Sequence, residues 1–234
     1  MKNLCGSFIS KGMKLKLHSF RSLAFFLGLL FSVSCLPELN EVDSVRALAP
    51  SLLYDSKKAS QNEPTAWVPL IIFVTATSVT GGMSGISGAD SKCNTDSNKP
   101  NSSNYKAMVV DGMIRVACIT PNCSGGLTEQ SNWVLKPNQM YQRSDGTVIA
   151  TTNADGIFDF STALVNSISA TSNIAWTGMS NDWVADSDNC NKWMNGTGIE
   201  SGRNGQSNST SNTAISYTLM SCNSMSVLLY CVEQ

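Results

Sequence analysis

The sequence predicts an α+β domain held together by disulfide bonds, and three features support that prediction. Apolar runs typical of buried strands lie near both ends of the domain, at residues 70–74 and 227–232. The segments between them are rich in Gly, Asn and Ser, which favours turns and short strands over long helices. Six cysteines fall in the same region, as is typical of a small exported domain. We expect the first and last strands to lie side by side.

The remaining elements are expected to be short. Glycines between residues 81 and 88 indicate a turn after the first strand, followed by a short helix at 89–98 and a strand at 105–110. Residues 195–213 are dominated by Gly, Asn, Ser and Thr, which predicts a long surface loop. Four further short strands are expected at residues 133–135, 147–151, 157–160 and 174–177.

The N-terminal region is typical of a lipoprotein signal peptide. Lys14, Lys16 and Arg21 precede an apolar run at 23–33, which is too short to cross a bilayer as a helix. A small residue, Ser34, stands just before Cys35, as a lipoprotein signal peptidase requires. We therefore predict a signal peptide at 1–34, whose true start could be Met13, and lipidation of Cys35. The alternative is an ordinary signal peptide with a free cysteine nearby.

Residues 35–66 are polar and contain several prolines, so we expect the lipidated cysteine to be joined by a flexible tether to a domain at 67–234. Five of the 16 basic residues lie in residues 1–35, so the rest of the chain has 11 bases against 17 acids, a net charge of −6. This acidic excess gives no electrostatic reason to bind nucleic acid. The only membrane contact we expect is through the lipid anchor.

The six cysteines of the domain allow 15 disulfide pairings, and their spacing alone does not select one. Cys118 and Cys123 are close enough in sequence to form a small local loop. A zinc site is disfavoured because no pair has the C-x-x-C spacing and the only histidine, His18, lies in the signal peptide. We expect no metal or other cofactor. The four other cysteines of the domain are Cys93, Cys190, Cys222 and Cys231.

Catalytic residues are not evident. A Ser/His/Asp or Cys/His arrangement needs an imidazole, and the mature chain has none. Asp182, Asp186 and Asp188 are clustered, which leaves open a solvated loop, a calcium site or an acid/base pair. The sequence Lys-Pro-Asn at 136–138 lacks the acid of lectin calcium signatures. We therefore expect a binding protein and not an enzyme.

Tryptophan side chains are the candidate binding anchors. Trp176 and Trp193 are expected to pack in the core. Trp183 follows the polar residues Ser180, Asn181 and Asp182, so we expect its ring to be exposed and to form a ligand-binding site together with Asp182.

Several motifs of the domain resemble endostatin, the C-terminal fragment of certain collagens. Residues 81–90 read GGMSGISGAD and are followed by Cys93, as in the segment after the first strand of endostatin. Further similar segments occur in the same order across residues 68–234: YKAM at 105–108, LKP at 135–137, DG at 145–146, WTG at 176–178, Cys190, Trp193, and the tail from Ser221 to Glu233.

Together with the signal peptide, these motifs resemble the leptospiral endostatin-like outer-membrane lipoproteins. The resemblance implies an endostatin-like, C-type-lectin-like fold, with Cys93 bonded to Cys231, Cys190 bonded to Cys222, and Cys118–Cys123 as an added local bridge. It also implies a surface-exposed location on a bacterial outer membrane. The zinc-binding histidines and the arginine cluster of endostatin have no counterparts here, so those activities are not expected.

The function implied by the resemblance is binding of host macromolecules in adhesion and immune evasion. Members of that family bind laminin, fibronectin, plasminogen or complement factor H. The alternative is a glycan-binding, lectin-like surface protein.

Overall fold

The computed structural model describes residues 68–234, so the predicted signal peptide, Cys35 and the tether lie outside the described residues. This part of the chain is an α+β domain with eight strands, one regular helix, one helical turn and a few short 3-10 turns. None of its helices is long and apolar enough to cross a membrane. The elements are β1 (Leu70–Val74), α1 (Gly85–Thr95), β2 (Tyr105–Ala107), β3 (Met140–Gln142), β4 (Val148–Thr151), β5 (Ile174–Trp176), the turn α2 (Cys190–Trp193), β6 (Ser201–Gln206), β7 (Thr218–Ser221) and β8 (Leu228–Glu233).

The strands form one mixed sheet with β8 near its centre. The order is β4-β3-β1-β8-β5-β6-β7, and β2 also pairs with β8. Phe73 of β1 lies opposite Cys231 of β8 in an antiparallel pair, which confirms that the first and last strands lie side by side. β5 pairs with β8 in the parallel direction, and β3 pairs with β1 in the parallel direction.

The sheet separates two hydrophobic cores, and β8 contributes to both. Tyr230 and Val232 pack into one core, while the alternate residues Leu229 and Cys231 pack into the other. All four residues are 0 % exposed. Side chains alternate between the two faces of a strand, so a continuous apolar run is what a strand buried on both faces requires.

The helix α1 starts earlier than the sequence predicts. It begins at Gly85 and ends at Thr95, whereas the glycine-rich stretch favoured a turn up to residue 88. Ile86, Ala89 and Cys93 are spaced three and four residues apart and are all buried, so one face of the helix covers the sheet. Gly88 permits a close approach, because a Cβ there would lie 1.7 Å from the carbonyl oxygen of Met83.

Two predicted strands, at 133–135 and 157–160, are irregular buried segments instead. Side chains, in place of a strand ladder, bond to several of their backbone groups. The Ile157 N–H donates to Asn153 Oδ1, and the Phe158 carbonyl oxygen accepts from Trp183 Nε1. The Val134 carbonyl oxygen accepts from Gln234 Nε2 at 3.3 Å. The apolar residues at these positions therefore indicate burial of the segments and not strand structure.

The predicted surface loop at 195–213 is also wrong in part, because it contains the strand β6. The glycines of this strand are packing sites and not turn signals. A Cβ at Gly202 would lie 2.6 Å from Cζ3 of Trp176, and one at Gly205 would lie 1.9 Å from the carbonyl oxygen of Ala214. Both positions require glycine because a ring or a backbone lies directly against the strand.

Trp183 is buried, which corrects the prediction of an exposed anchor. Its side chain is 0 % exposed, stacks on Phe160 with ring centroids 5.5 Å apart, and meets Trp133 edge-on at 5.9 Å. Its Nε1 donates to the carbonyl oxygen of Phe158 over 3.2 Å. The polar residues before it form a turn, and Trp183 has a positive φ of 71°, so the chain reverses and the ring is directed inward. Trp176 and Trp193 are buried, as predicted.

Three disulfide bonds join the pairs Cys93–Cys231, Cys190–Cys222 and Cys118–Cys123. These are the pairs that the endostatin resemblance implies. The first bond fixes α1 to β8, and the second fixes α2 to the residue just after β7. All six cysteines are at most 1 % exposed.

The loop closed by Cys118–Cys123 is held by one carboxylate. Glu129 accepts hydrogen bonds from the Thr120 hydroxyl at 2.5 Å, from the Thr120 and Ile119 N–H groups at 2.7 Å, and from the Gly125 N–H at 2.5 Å. The Thr120 hydroxyl and these backbone donors lower the pKa of Glu129 to about 2. Only the ionised form can accept all of these bonds, so the loop geometry depends on a charged Glu129.

We expect the three disulfides to contribute unequally to stability. The loops they close have sequence separations of 138, 32 and 5 residues. The chain-entropy model gives contributions of about 5, about 4 and about 2 kcal/mol respectively. Paired Cys→Ser variants, compared by reversible urea unfolding, should lose stability in the order Cys93/Cys231, Cys190/Cys222, Cys118/Cys123. Because all six sites are buried, each double variant introduces two buried hydroxyl groups. That cost is common to the three variants, so the differences between their losses report the loop length. Equal losses would show that loop length does not govern the effect.

Glu129 should make stability depend on pH in the acid range. Its folded-state pKa lies below the ordinary value of about 4.3, so its contribution is present above about pH 5 and is lost as the pH falls towards about 2. The melting temperature of Glu129→Gln should therefore differ most from wild type at neutral pH, and the difference should narrow on acidification. Thermal melts of both proteins from pH 7 to pH 2 test this. A difference that stays constant over that range would contradict the assignment.

Candidate functional site

The three clustered aspartates do not converge on a common centre. Asp182 accepts a hydrogen bond of 2.5 Å from the Ser180 hydroxyl, and Asp186 forms an ion pair of 2.8 Å with Arg203. Asp186 also accepts from the N–H of Asp188 over 3.0 Å. Within residues 68–234, no three His, Cys, Asp or Glu side chains are grouped so that they could hold a metal ion. The carboxylates of Asp182 and Asp186 therefore fix turns of the backbone. Asp182 does not form a binding site together with Trp183, because the Trp183 ring is buried.

Three strongly exposed apolar side chains belong to two loops that meet at the surface. Met113 is 67 % exposed and Ile114 is 58 % exposed, on the loop that follows Val110. Met194 is 64 % exposed and directly follows the turn α2. The ammonium group of Lys192 lies 3.3 Å from the sulfur of Met113, which joins the two loops at the surface. We call Met113, Ile114, Lys192 and Met194 the apolar patch.

The first loop is shaped by Asp111, which is only 4 % exposed. Its Oδ1 accepts hydrogen bonds of 2.8–2.9 Å from the N–H groups of Met113, Ile114 and Arg115. Three donors on one carboxylate oxygen fix three successive peptide units. The backbone of Met113 and Ile114 is thereby fixed in a conformation that leaves both side chains exposed.

Arg115 anchors the base of the same loop inside the domain. Its side chain is 0 % exposed, and its guanidinium pairs with both oxygens of Asp90 on α1, at 2.9 and 2.8 Å. It also donates to the carbonyl oxygens of Ala107 at 2.6 Å and Asn132 at 2.9 Å. A buried guanidinium needs partners of this kind, because an uncompensated charge in the interior is strongly destabilising. The loop is therefore tied to α1, to β2 and to the segment at 132.

The second loop contains an unusual backbone. Cys190, Asn191, Lys192 and Trp193 have φ values of 53°, 49°, 58° and 63°, so the turn α2 is left-handed although none of the four is glycine. Such a conformation costs about 1–2 kcal/mol per residue relative to the right-handed form. Strain of this size persists only where the surroundings determine the conformation.

Several contacts hold the strained turn. Cys190 is bonded to Cys222, and Asn189 Oδ1 accepts from the Lys192 N–H at 2.8 Å. The ring of Trp193 is 0 % exposed, and its Nε1 donates to the carbonyl oxygen of Val110 at 2.8 Å. Val110 is the residue just before the first loop, so this bond ties the two loops of the patch together. The turn positions Lys192 and Met194 on the surface at fixed places.

The arrangement offers a contact surface and no evident reactive group. Two thioethers and a branched aliphatic chain supply apolar area, and Lys192 supplies one positive charge beside it. The sequence analysis did not identify these residues. The available signal was the pair of large apolar residues directly after Asp111-Gly112, a turn sequence whose following residues would be expected at the surface.

Comparison with known protein families places the chain in one of them. A family model described as "Protein of unknown function (DUF1554)" matches residues 76–210, which is more than half of the chain and includes both loops of the apolar patch. No curated protein matches the chain. The extent of the match shows that the chain belongs to the DUF1554 family.

Proposed function

We propose that this protein is a surface-exposed lipoprotein of a bacterial outer membrane that binds host macromolecules and catalyses no reaction. Its partners are laminin or fibronectin of the extracellular matrix, plasminogen, or complement factor H. The observation that carries the proposal is the exposure of Met113 and Ile114 on a loop that Asp111 and Arg115 hold in one conformation.

The energetics of association favour such a surface. A loop whose backbone is already fixed loses little backbone entropy when a partner covers it, so more of the burial energy of its apolar side chains appears as affinity. The backbone of Met113 and Ile114 is fixed in this way, and the strained turn fixes Lys192, whose ammonium group lies 3.3 Å from the sulfur of Met113. A few well-packed residues at the centre of a contact commonly supply most of its binding energy. Lys192 adds complementarity to a partner whose apolar pocket is flanked by acidic groups.

The proposal includes an endostatin-like, C-type-lectin-like arrangement of the domain. It is supported by the nested Cys93–Cys231 and Cys190–Cys222 bonds and by a terminal strand that pairs with the first strand. Disulfides persist in oxidising compartments, which supports an extracellular location. The basic, apolar and small-residue order that ends at Cys35 supports the lipid anchor.

Truncation of the exposed apolar side chains should weaken binding without unfolding the domain. We expect the double variant Met113→Ser, Ile114→Ser to bind at least tenfold more weakly to whichever of laminin, fibronectin, plasminogen or factor H the wild type binds. The reason is that the variant loses apolar contact area and leaves the backbone bonds to Asp111 in place. Surface plasmon resonance with each immobilised protein measures the change.

The matched control is Val165→Ser, because Val165 is 72 % exposed on a different loop. It should bind as the wild type does, and both variants should melt within a few degrees of the wild type. If the wild type binds none of the four proteins, the proposed function is wrong. If the double variant binds as well as the control, the apolar patch is not the contact surface.

The lipid anchor makes a separate prediction. Labelled palmitate should enter the wild-type protein when it is expressed in a bacterium that processes lipoproteins, and it should not enter Cys35→Ala. The acylated residue should also appear at the N-terminus of the mature protein in mass spectra. Equal labelling of wild type and variant would reject the lipoprotein prediction while leaving the binding proposal for the domain untouched.

A further inference from the structure

One edge of β1 is paired with a neighbouring strand over only part of its length. β3 pairs with β1 only at Leu70 and Ile71, whereas β1 continues to Val74. Beyond Ile71, the edge of β1 that faces away from β8 therefore has no strand beside it. An open edge of this kind presents backbone donors and acceptors at the spacing of a strand.

The pairing with β8 fixes which backbone groups point to the open side. Phe73 lies opposite Cys231, and the Thr75 N–H donates to the carbonyl oxygen of Leu229 at 3.0 Å. Successive residues of a strand direct their N–H and C=O groups to opposite edges, so those of Val74 point away from β8. Asn98 Nδ2 donates to the Val74 carbonyl oxygen at 3.0 Å from that side. No acceptor for the Val74 N–H is found among residues 68–234.

A groove runs along this open edge. Its volume is about 370 Å³, and its opposite wall is the segment 168–173. Besides β1 and this segment, the lining includes Arg143 and Asp145. We call this space the β1 groove.

The opposite wall is held in place without any ligand. The Arg143 side chain donates to the carbonyl oxygen of Ser167 at 2.8 Å, at the start of the wall segment. Ser207 fixes its far part, since its hydroxyl donates to the Thr171 carbonyl oxygen at 2.8 Å and accepts from the Asn173 N–H at 3.0 Å. The groove is thus formed before a partner enters, which lowers the entropy cost of binding.

The lining favours a polypeptide over a sugar. It combines hydroxyl, amide and backbone groups with a few apolar side chains, one guanidinium and one carboxylate, so it selects no net charge. The one aromatic residue in the lining, Phe73, is only 4 % exposed and packs edge-on against Tyr105, so it offers no platform for a sugar ring. An extended backbone is the ligand whose donors and acceptors match an open strand edge.

We propose that the β1 groove binds an extended peptide segment of a partner protein, which adds to β1 as a short strand. The Val74 N–H donates to a carbonyl oxygen of that peptide, and the Ile72 carbonyl oxygen accepts one of its N–H groups. This site is distinct from the apolar patch, because its residues and those of the patch do not overlap. The proposal therefore does not depend on the function assigned to the patch.

The open edge can be tested first in the full chain without a ligand. Amide hydrogen exchange should be much faster at Val74 than at its neighbours Phe73 and Thr75, since their amides point to β8 and only the Val74 amide lacks an acceptor. If the Val74 amide is as protected as its neighbours, the edge is occupied and the proposal is wrong.

Binding can then be tested with a displayed library of random linear decapeptides as the probe. The variant Ala170→Trp fills the groove from its exposed wall, and Ala163→Trp places the same ring at an exposed site outside the lining. We expect enriched peptides to bind wild type and Ala163→Trp equally, and Ala170→Trp at least tenfold more weakly. On binding, exchange at Val74 should slow at least tenfold.

Three results would overturn the proposal. The library could yield no binder, the binders could be insensitive to Ala170→Trp, or they could leave exchange at Val74 unchanged. Binding of a glycan array that Ala170→Trp abolishes, without any peptide binding, would make the groove a sugar site instead. The Met113→Ser, Ile114→Ser variant should retain peptide binding, which separates failure of this proposal from failure of the proposed function.

Discussion

The domain depends on the position of its last strand. β8 pairs with β1 on one edge and with β2 and β5 on the other, and its side chains enter both cores. The six residues at the C-terminal end thus join the first strand, the helix-linked strand β2 and the β5–β6–β7 part of the sheet. Pairing strands that are so far apart in sequence costs a large loop-closure entropy on folding. The Cys93–Cys231 bond lowers this cost because it already restricts the unfolded chain. Folding cannot be completed until this strand is in place, so contacts of high sequence separation dominate the topology.

The loops at the surface are determined by buried polar groups more than by apolar packing. Arg115 is completely buried, yet its guanidinium meets both oxygens of Asp90 and two carbonyl oxygens, so its charge and its donors are compensated. Asp111 acts in the same way on the loop that Arg115 anchors, and Glu129 on the loop at 118–123, each by accepting several backbone N–H groups. In a domain with few long elements, these carboxylates perform the role that helix and strand ladders perform elsewhere.

The parts of this architecture that follow from residue pattern were predictable, and those that follow from tertiary contact were not. The run at 70–74 and the terminal run are apolar enough to identify strands buried on both faces. The glycines at 202 and 205 look like loop residues until Trp176 and Ala214 are seen to lie against them. The prediction that Trp183 is exposed was wrong for a related reason. Its polar neighbours form the turn that directs the ring inward, so the polarity of adjacent residues did not indicate the exposure of the ring. The left-handed turn at 190–193 contains no glycine, and no sequence rule signals it.

The two proposed contact surfaces differ in how the fold produces them. The apolar patch exists because the Asp111 carboxylate, the Cys190–Cys222 disulfide and the Trp193–Val110 bond fix the backbone of two loops, one of them in a strained left-handed turn. The β1 groove exists because β3 is too short to cover β1, so it is a property of strand length and register. A patch of the first kind can change its side chains without disturbing the scaffold, since its backbone is fixed from inside. A groove of the second kind recognises backbone and tolerates many sequences in its partner. Specificity for a particular partner should therefore reside in the patch, while the groove contributes affinity to whichever extended segment lies within its reach.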